Sequence, residues 1–274
     1  KLPPPRAYDR PVTILGLGEL GAACAQALAR LGFPVTGWSR SEKAVDGVTC
    51  LHGPDGLHRA LGSAEIVVLL DCGTTAFDTI TAGKAMGLEI VVIDHHEAED
   101  KLPDAVHVIN PKRKDDESGL GMLAAVGVTF MVCVAVNKVL REFGFYTGPE
   151  APLKDWLDLV ALGTVCDMVP LIEVNRLLVR VGFERMNQTQ NAGLKALIEV
   201  AGVNGELAPY HAGFVLGPRI NAGSRVHKSD LGAQLLTLED AQECKNISWT
   251  LNDCNDKRKA IQQEMEQQAI TMVE

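Results

Sequence analysis

The sequence predicts an α/β fold in which a parallel, Rossmann-like sheet carries helices on its flanks. Two observations predict it: short apolar segments alternate with helical patterns along the first half of the chain, and several of these segments end in glycine or polar residues. The second half has the pattern of a helical region followed by a long C-terminal connector helix. At 46% hydrophobic and 22% charged residues, the 274-residue chain has a globular composition, which excludes disordered and collagen-like proteins.

The first segments predict β-α-β units. In order, we expect a strand over 12–15, a helix over 22–31, a strand over 35–38, a helix over 55–61 and a strand over 65–70. A glycine turn, Gly16-Leu17-Gly18-Glu19-Leu20-Gly21, joins the first strand to its helix. Strands separated by helices pair in parallel through right-handed crossovers. We therefore expect residues 1–70 to form a Rossmann-like βαβαβ segment.

The alternation continues beyond residue 70 and then gives way to helices. We expect helices over 76–86, 123–143, 153–164, 175–186 and 193–200, strands over 89–93 and 105–109, and a Gly/Arg-rich loop over 217–225. The strand over 89–93 is apolar on both faces and should be central in the sheet. We place one domain over 71–238 and the connector helix over 239–274.

Charge and cysteine content restrict the classes of protein further. With 26 Lys and Arg against 35 Asp and Glu, the net charge is -9, which argues against a protein that coats nucleic acid non-specifically. The net charge does not exclude a local basic groove. The seven cysteines include no CxxC pair, so neither a zinc ribbon nor a disulfide framework is indicated. Because no long apolar run or secretory signal is present, we expect a cytoplasmic protein with no membrane contact.

Ionisable side chains follow two of the predicted strands. Asp71 follows one strand, and Asp94-His95-His96 follows the next. Open parallel sheets place their ligand sites at the carboxyl ends of strands. Mixed carboxylate and imidazole ligands suit Mn²⁺ or a similar divalent ion, and a pair of such ions can promote phosphoryl transfer.

Three separated segments resemble the RecJ-type members of the DHH phosphoesterase family. They are Val92 to His96, Ala161 to Leu171 and Gly217 to Arg225, and the resemblance runs from about Asp71 to the end of the chain. It implies a metal-dependent phosphodiester hydrolase, an exonuclease that degrades single-stranded DNA from the 5′ end with Mn²⁺ or Mg²⁺. Such enzymes serve DNA repair and recombination.

The resemblance also implies roles for individual residues. Asp71, His95 and Asp167 would be metal ligands, with Asp71 shared between two ions. His96 would lie close to the scissile phosphate and Asp94 would support its neighbours in this catalytic group. The phosphate path would be lined by Arg219, Asn221 and Arg225. A simpler interpretation stays open, in which the acidic residues cap helices and the arginines are solvated.

Residues 10–70 resemble a different family, the cofactor-binding half of D-2-hydroxyacid dehydrogenases of the glyoxylate reductase type. The resemblance rests on Gly16, Gly18 and Gly21 and on Arg40 at the end of the second strand. It implies that the glycines let the backbone approach a pyrophosphate and that Arg40 favours NADP through its 2′-phosphate. Close helix packing with no dinucleotide bound is the alternative role of the glycines.

The two resemblances together predict a composite chain, in which a dehydrogenase-like segment is joined to a DHH-like segment near Leu70. The Asp-x-Asp-Gly loop that supplies metal ligands in the DHH family is absent, and the glycine turn in its place has Glu19 as its only carboxylate. The absence predicts weak or no hydrolase activity. An NADP-binding module and a non-catalytic fold that binds one metal ion or DNA are the alternative functions.

Overall fold

The computed structural model describes residues 11–15, 25, 29, 33–39, 42–62, 66–146, 148–228 and 231–273. The chain divides into two compact units. Unit 1 contains Lys1–Leu153 and Ile172–Asn175, and unit 2 contains Lys154–Leu171 and Arg176–Glu274.

The strands of unit 1 are all parallel to their hydrogen-bonded neighbours. They are β1 (Val12–Leu15), β2 (Val35–Ser39), β3 (Val48–His52), β4 (Ile66–Leu70), β5 (Glu89–Ile93) and β6 (His107–Ile109). Hydrogen bonds join them in the orders β1-β2-β3 and β4-β5-β6. Because β1 also lies beside β4, the strand order reverses at these two strands. Ligands bind outside the carboxyl ends of the strands at such a reversal.

The register of β4, β5 and β6 brings three strand ends to one level. Leu70 pairs with Ile93, and Ile93 pairs with Ile109. The residues that follow these strands must therefore emerge side by side at one edge of the sheet. Beneath that edge, Ile80, Val92 and their buried apolar neighbours form the core of this half of unit 1.

In the described residues of unit 1, helices α1 (Gly53–Gly62), α2 (Phe77–Ala85) and α3 (Ala125–Glu142) connect or flank the strands. The α2 helix packs on β5, with Ile80 fully buried against it. An added Cβ at Gly83 of α2 would come within 2.8 Å of the Ile90 side chain on β5, so this glycine allows a close approach of helix and strand.

Unit 2 is helical in its described residues. Its α-helices of five or more residues are α4 (Leu157–Cys166), α5 (Glu173–Met186, which begins in unit 1), α6 (Ala192–Val200), α7 (Gly217–Val226), α8 (Leu231–Leu235) and α9 (Ala241–Val273). The long α9 helix packs on α6 and α7. The buried side chains of Leu194, Leu216, Leu235 and Leu251 belong to one core that joins these helices.

The predicted α/β class is confirmed, and the central position of the strand over 89–93 matches β5 in the order β4-β5-β6. Three details differ from expectation. The strand β3 was not predicted, because Val48–His52 is a short, partly exposed edge segment. The predicted single sheet is two hydrogen-bonded sheets within the described residues, since an apolar pattern does not determine which strand edges pair. The domain boundaries near 70 and 238 stay predictions.

The third difference concerns the segment over 217–225, which we predicted to be a loop and which is helix α7. The prediction was wrong because the glycines serve close packing. An added Cβ at Gly217 would lie 2.5 Å from Cys166 Sγ, and one at Gly223 would lie 3.0 Å from the side chain of Leu251. Pro218 stands in the first turn, where a missing backbone N–H costs nothing.

Of the helices in the described ranges, none combines the length and the apolar character that a membrane span requires.

Candidate metal centre

The ends of β4, β5 and β6 position the candidate site. Asp71, Asp94 and Asn110 are the first residues after these three strands. The backbone N–H of Asp71 donates to the Ile93 carbonyl at 3.0 Å, and that of Asp94 donates to the Ile109 carbonyl at 3.0 Å. These bonds continue the sheet ladder by one residue, so the side chains leave from a fixed backbone.

The backbone of Asp71 adopts a left-handed conformation, with φ at 59°. Few residues other than glycine adopt it, although Asp is among the more tolerant. Gly73 follows with φ at 110°, and an added Cβ there would lie 3.1 Å from the Val92 side chain. The chain therefore turns sharply against β5 immediately after Asp71, which keeps that carboxylate at the strand end.

Asp94 is a buried carboxylate, 1% exposed, that accepts hydrogen bonds on both oxygens. Its Oδ1 accepts from the backbone N–H groups of His95 (2.8 Å) and His96 (3.3 Å) and lies 2.7 Å from His96 Nδ1, while its Oδ2 accepts from Thr74 N–H at 3.0 Å. Burial raises the pKa of Asp94, but the hydrogen bonds from His96, Thr74 and His95 lower it by more, so the pKa lies well below its usual range. Asp94 is therefore ionised and acts as the anchor of the loop.

The Asp94 carboxylate also determines the protonation of the His96 ring. An ionised carboxylate only accepts hydrogen bonds, so His96 Nδ1 carries the proton. In the neutral ring, Nε2 then has the lone pair that a metal ion needs. Carboxylates that orient metal-binding histidines in this way are a common feature of metal sites.

Thr74 and Asn110 form a second buried layer around the loop. Asn110 Nδ2 donates to Thr74 Oγ1 at 3.0 Å and to the His96 carbonyl at 2.9 Å, while Asn110 Oδ1 accepts from the backbone N–H of Lys112 at 2.8 Å. Thr74 in turn donates its N–H to Asp94. The loops after β4, β5 and β6 are thus joined by hydrogen bonds into one unit.

Three potential ligand atoms converge above this network. One ligand atom each from Asp71, His95 and His96 can be chosen so that all three lie within 4.8 Å of one another. The distance from His95 Nε2 to Asp71 Oδ1 is 3.3 Å. At metal–ligand distances near 2.1 Å, adjacent octahedral ligands lie about 3.0 Å apart, and the separation of His95 Nε2 and Asp71 Oδ1 is close to that value. Two imidazoles and a carboxylate suit Mn²⁺ and similar metals.

The other predicted site residues belong to unit 2. Asp167 is the C-cap of α4, and its N–H donates to the Gly163 carbonyl at 2.9 Å. Arg219 is tied into its own unit, since its Nε donates to Asn252 Oδ1 at 3.0 Å and one terminal nitrogen donates to the Val215 carbonyl at 2.7 Å. The roles of both residues in binding metal or phosphate stay predictions.

Asn221 and Arg225 lie one turn apart on α7 and line a cavity of about 270 Å³ within unit 2. A third polar residue of this cavity, Arg258, comes from α9. Arg258 was not predicted as a site residue, because the last helix has the pattern of a polar connector. Thr74 was not predicted either, although it lies in the loop that follows β4.

The residues of the dehydrogenase-like hypothesis, Gly16, Gly18, Gly21 and Arg40, lie outside the described residues, as does Glu19. Dinucleotide binding therefore stays a prediction.

Comparison with known proteins identifies the family. The sequence profile of the DHH family, N-terminal domain, matches residues 13–164, more than half of the chain. The chain belongs to the DHH family. The match begins in β1 and so runs across the junction that we expect near residue 70, and the composite origin of this DHH-family chain stays a prediction.

Several curated relatives of this chain are RecJ proteins. The single-stranded-DNA-specific exonuclease RecJ of Salmonella typhimurium is 37% identical over 216 residues, which covers 77% of this chain and 37% of the relative. RecJ of Escherichia coli is 36% identical over the same shares. The chain thus spans well under half the length of these relatives.

Solved structures agree with the sequence relatives. A crystal structure of exonuclease RecJ bound to manganese matches with a TM-score of 0.73 and 25% identity, covering 96% of this chain and 66% of that one. RecJ of Thermus thermophilus in complex with Mn²⁺ matches with a TM-score of 0.69 and 25% identity, covering 94% and 37%. The resemblance to RecJ-type proteins is confirmed.

Proposed function

We propose that this chain is the catalytic core of a metal-dependent phosphodiester hydrolase that acts on single-stranded DNA. The observation that carries the proposal is the convergence of Asp71, His95 and His96 ligand atoms at the ends of β4 and β5. The relatives named for exonuclease activity on single-stranded DNA, and the manganese-bound structures, support the same function.

In this proposal, Asp71, His95 and His96 hold a divalent ion. When bound, Mn²⁺ or Mg²⁺ stabilises negative charge on a phosphoryl group and lowers the pKa of water. The chain prepares the site by fixing the ligands in advance. Asp94 keeps the His96 proton on Nδ1, and Asn110 holds the His96 carbonyl, so little reorganisation is needed when the ion binds.

Residues of α7 supply the contacts to the nucleic acid. Arg225 is exposed on α7, one turn from Asn221, and guanidinium groups bind phosphate oxygens with two parallel hydrogen bonds. The resemblance to the DHH family implies Asp167 as a further metal ligand. The carboxylate loop of the family is missing, so we propose that a single ion supports slow turnover.

Release of nucleotides from a 5′-phosphorylated single-stranded oligonucleotide in Mn²⁺ tests the proposal. His95→Ala should lower the rate at least about 100-fold, because it removes a metal ligand. Mutation of the residues that only support such ligands already lowers metal affinity or activity about 10- to 100-fold. His107→Ala is the matched control, since His107 is an exposed histidine of the neighbouring strand β6. Equal rates for wild type and His95→Ala, or no release by the wild-type chain, would contradict the proposal.

A further inference from the structure

A concave feature is formed entirely by residues of unit 2. It is the cavity of about 270 Å³ introduced above, here named the α7–α9 pocket, which is lined by Cys166, Met168, Gly213, Gly217, Pro218, Asn221, Arg225 and Arg258. Two of its lining residues are glycines, Gly213 of the π-helical turn Ala212–Leu216 and Gly217 at the start of α7.

The charge of the α7–α9 pocket is positive. Two of its lining residues carry guanidinium groups, Arg225 from α7 and Arg258 from α9, and none of its lining residues carries a carboxylate. Within the described part of the chain, neither arginine takes part in an ion pair. Two guanidinium groups without an ion pair at one cavity are notable in a chain of net charge -9, because like charges repel each other.

Neutral groups hold Arg258 in place. Its Nε and one terminal nitrogen donate to Asn255 Oδ1 at 3.3 and 3.1 Å, and the other terminal nitrogen donates to Gln262 Oε1 at 3.1 Å. Asn255 is 1% exposed, so the amide that orients the guanidinium is itself fixed in the core. Amide acceptors restrict the side chain without cancelling its charge. Arg258 is thus oriented while its full charge remains available to an anion.

We propose that the α7–α9 pocket binds a backbone phosphate of single-stranded nucleic acid, and that Arg258 is a phosphate-binding residue of it together with Arg225 and Asn221. The inference rests on the proposed function and deepens it, because it adds a contact from α9 to those that the α7 segment supplies. The planar guanidinium groups and the Asn221 amide provide the donors that a phosphate accepts. A carboxylate would repel the negative charge of a phosphodiester, and no carboxylate residue lines the pocket.

The test measures affinity for an oligothymidylate by fluorescence anisotropy, in EDTA, at a series of salt concentrations. Arg258→Gln should weaken binding about tenfold at low salt, and it should reduce the slope of log K against log salt by about 0.7, the value for one phosphate contact in a single strand. Arg225→Gln should behave in the same way. Arg258→Lys should restore the slope but only part of the affinity, because an ammonium group keeps the charge without the paired donors.

Lys259→Gln is the matched control. Lys259 is the next residue on α9, carries the same charge and is exposed, but it lies 3.6 Å from Asp256 and does not line the pocket. Its removal should leave the slope unchanged. Equal slopes for Arg258→Gln and Lys259→Gln, with wild-type binding intact and unchanged melting temperatures, would overturn this inference alone. A wild-type chain that binds no single-stranded DNA would overturn the proposed function together with it.

Discussion

Replacing the Asp94 carboxylate by an amide of the same shape should destabilise the metal-free protein. In Asp94→Asn, only one side-chain oxygen remains to accept the hydrogen bonds that both oxygens accept in the wild type. If that oxygen faces His95 and His96, the new NH₂ group faces the Thr74 N–H, which donates to Oδ2 at 3.0 Å. A buried donor then meets a donor, at a cost of about 1–3 kcal/mol.

The remaining bonds of Asp94→Asn also weaken, because they lose the charge of the acceptor and charged hydrogen bonds are roughly twice as strong as neutral ones. We therefore expect a total loss of about 3 kcal/mol in the free energy of unfolding. Urea denaturation in EDTA measures it, with Asp78→Asn as the control, since Asp78 is an exposed carboxylate on α2. The control should stay within about 0.5 kcal/mol of wild type. Equal stability of the two variants would refute the role of Asp94 as an anchor.

The same experiment has a pH dependence of known sign. The pKa of Asp94 is lowered in the folded state, so its stabilising effect is complete above the unfolded pKa of about 3.9 and is lost as pH falls toward the folded value. The difference in stability between wild type and Asp94→Asn should therefore be constant near neutral pH and shrink below about pH 4. A difference that grows in acid would contradict the assignment of an ionised, hydrogen-bonded carboxylate.

Two further changes test the packing of unit 2 by urea denaturation, with Gly62→Ala as a neutral control because an added Cβ there has no atom within 4 Å. Gly193→Ala should cost about 3 kcal/mol, since its Cβ would lie 1.6 Å from the Leu235 carbonyl oxygen and force α6 and α8 apart. Asn191→Ala should cost about 1–2 kcal/mol, because its side chain caps α6 by accepting from Leu194 N–H at 2.8 Å. Either variant with the stability of Gly62→Ala would contradict the packing described.

The sequence predicts the position of the candidate metal site well, because strand ends in a parallel sheet coincide in space. The apolar pattern of Glu89–Ile93 indicates a central strand, and Asp71 and Asp94 follow neighbouring strands, so their proximity follows from topology. The hydrogen-bonded layer beneath could not be predicted in the same way. Thr74 and Asn110 matter through specific contacts, and these depend on loop geometry that the pattern of polar residues does not encode.

Unit 2 shows the opposite case. The Gly217–Arg225 segment has a loop-like composition, yet it forms α7 because its glycines pack against Cys166 and Leu251. A glycine-rich composition indicates a flexible backbone, whereas these glycines are required by close packing against neighbouring helices. Arg258 could not be predicted for a related reason, because a charged residue in a polar helix has the same local pattern whether it faces solvent or a cavity shared with another helix.

Titration with Mn²⁺, followed by the electron paramagnetic resonance of the free ion, measures whether Asp71, His95 and His96 bind a divalent ion. The wild-type chain and His107→Ala should bind with the same affinity, and His95→Ala should bind at least about 100-fold more weakly. Binding by His95→Ala that equals the wild type would contradict a metal site at these three residues, and so would a wild-type chain that leaves all of the Mn²⁺ free.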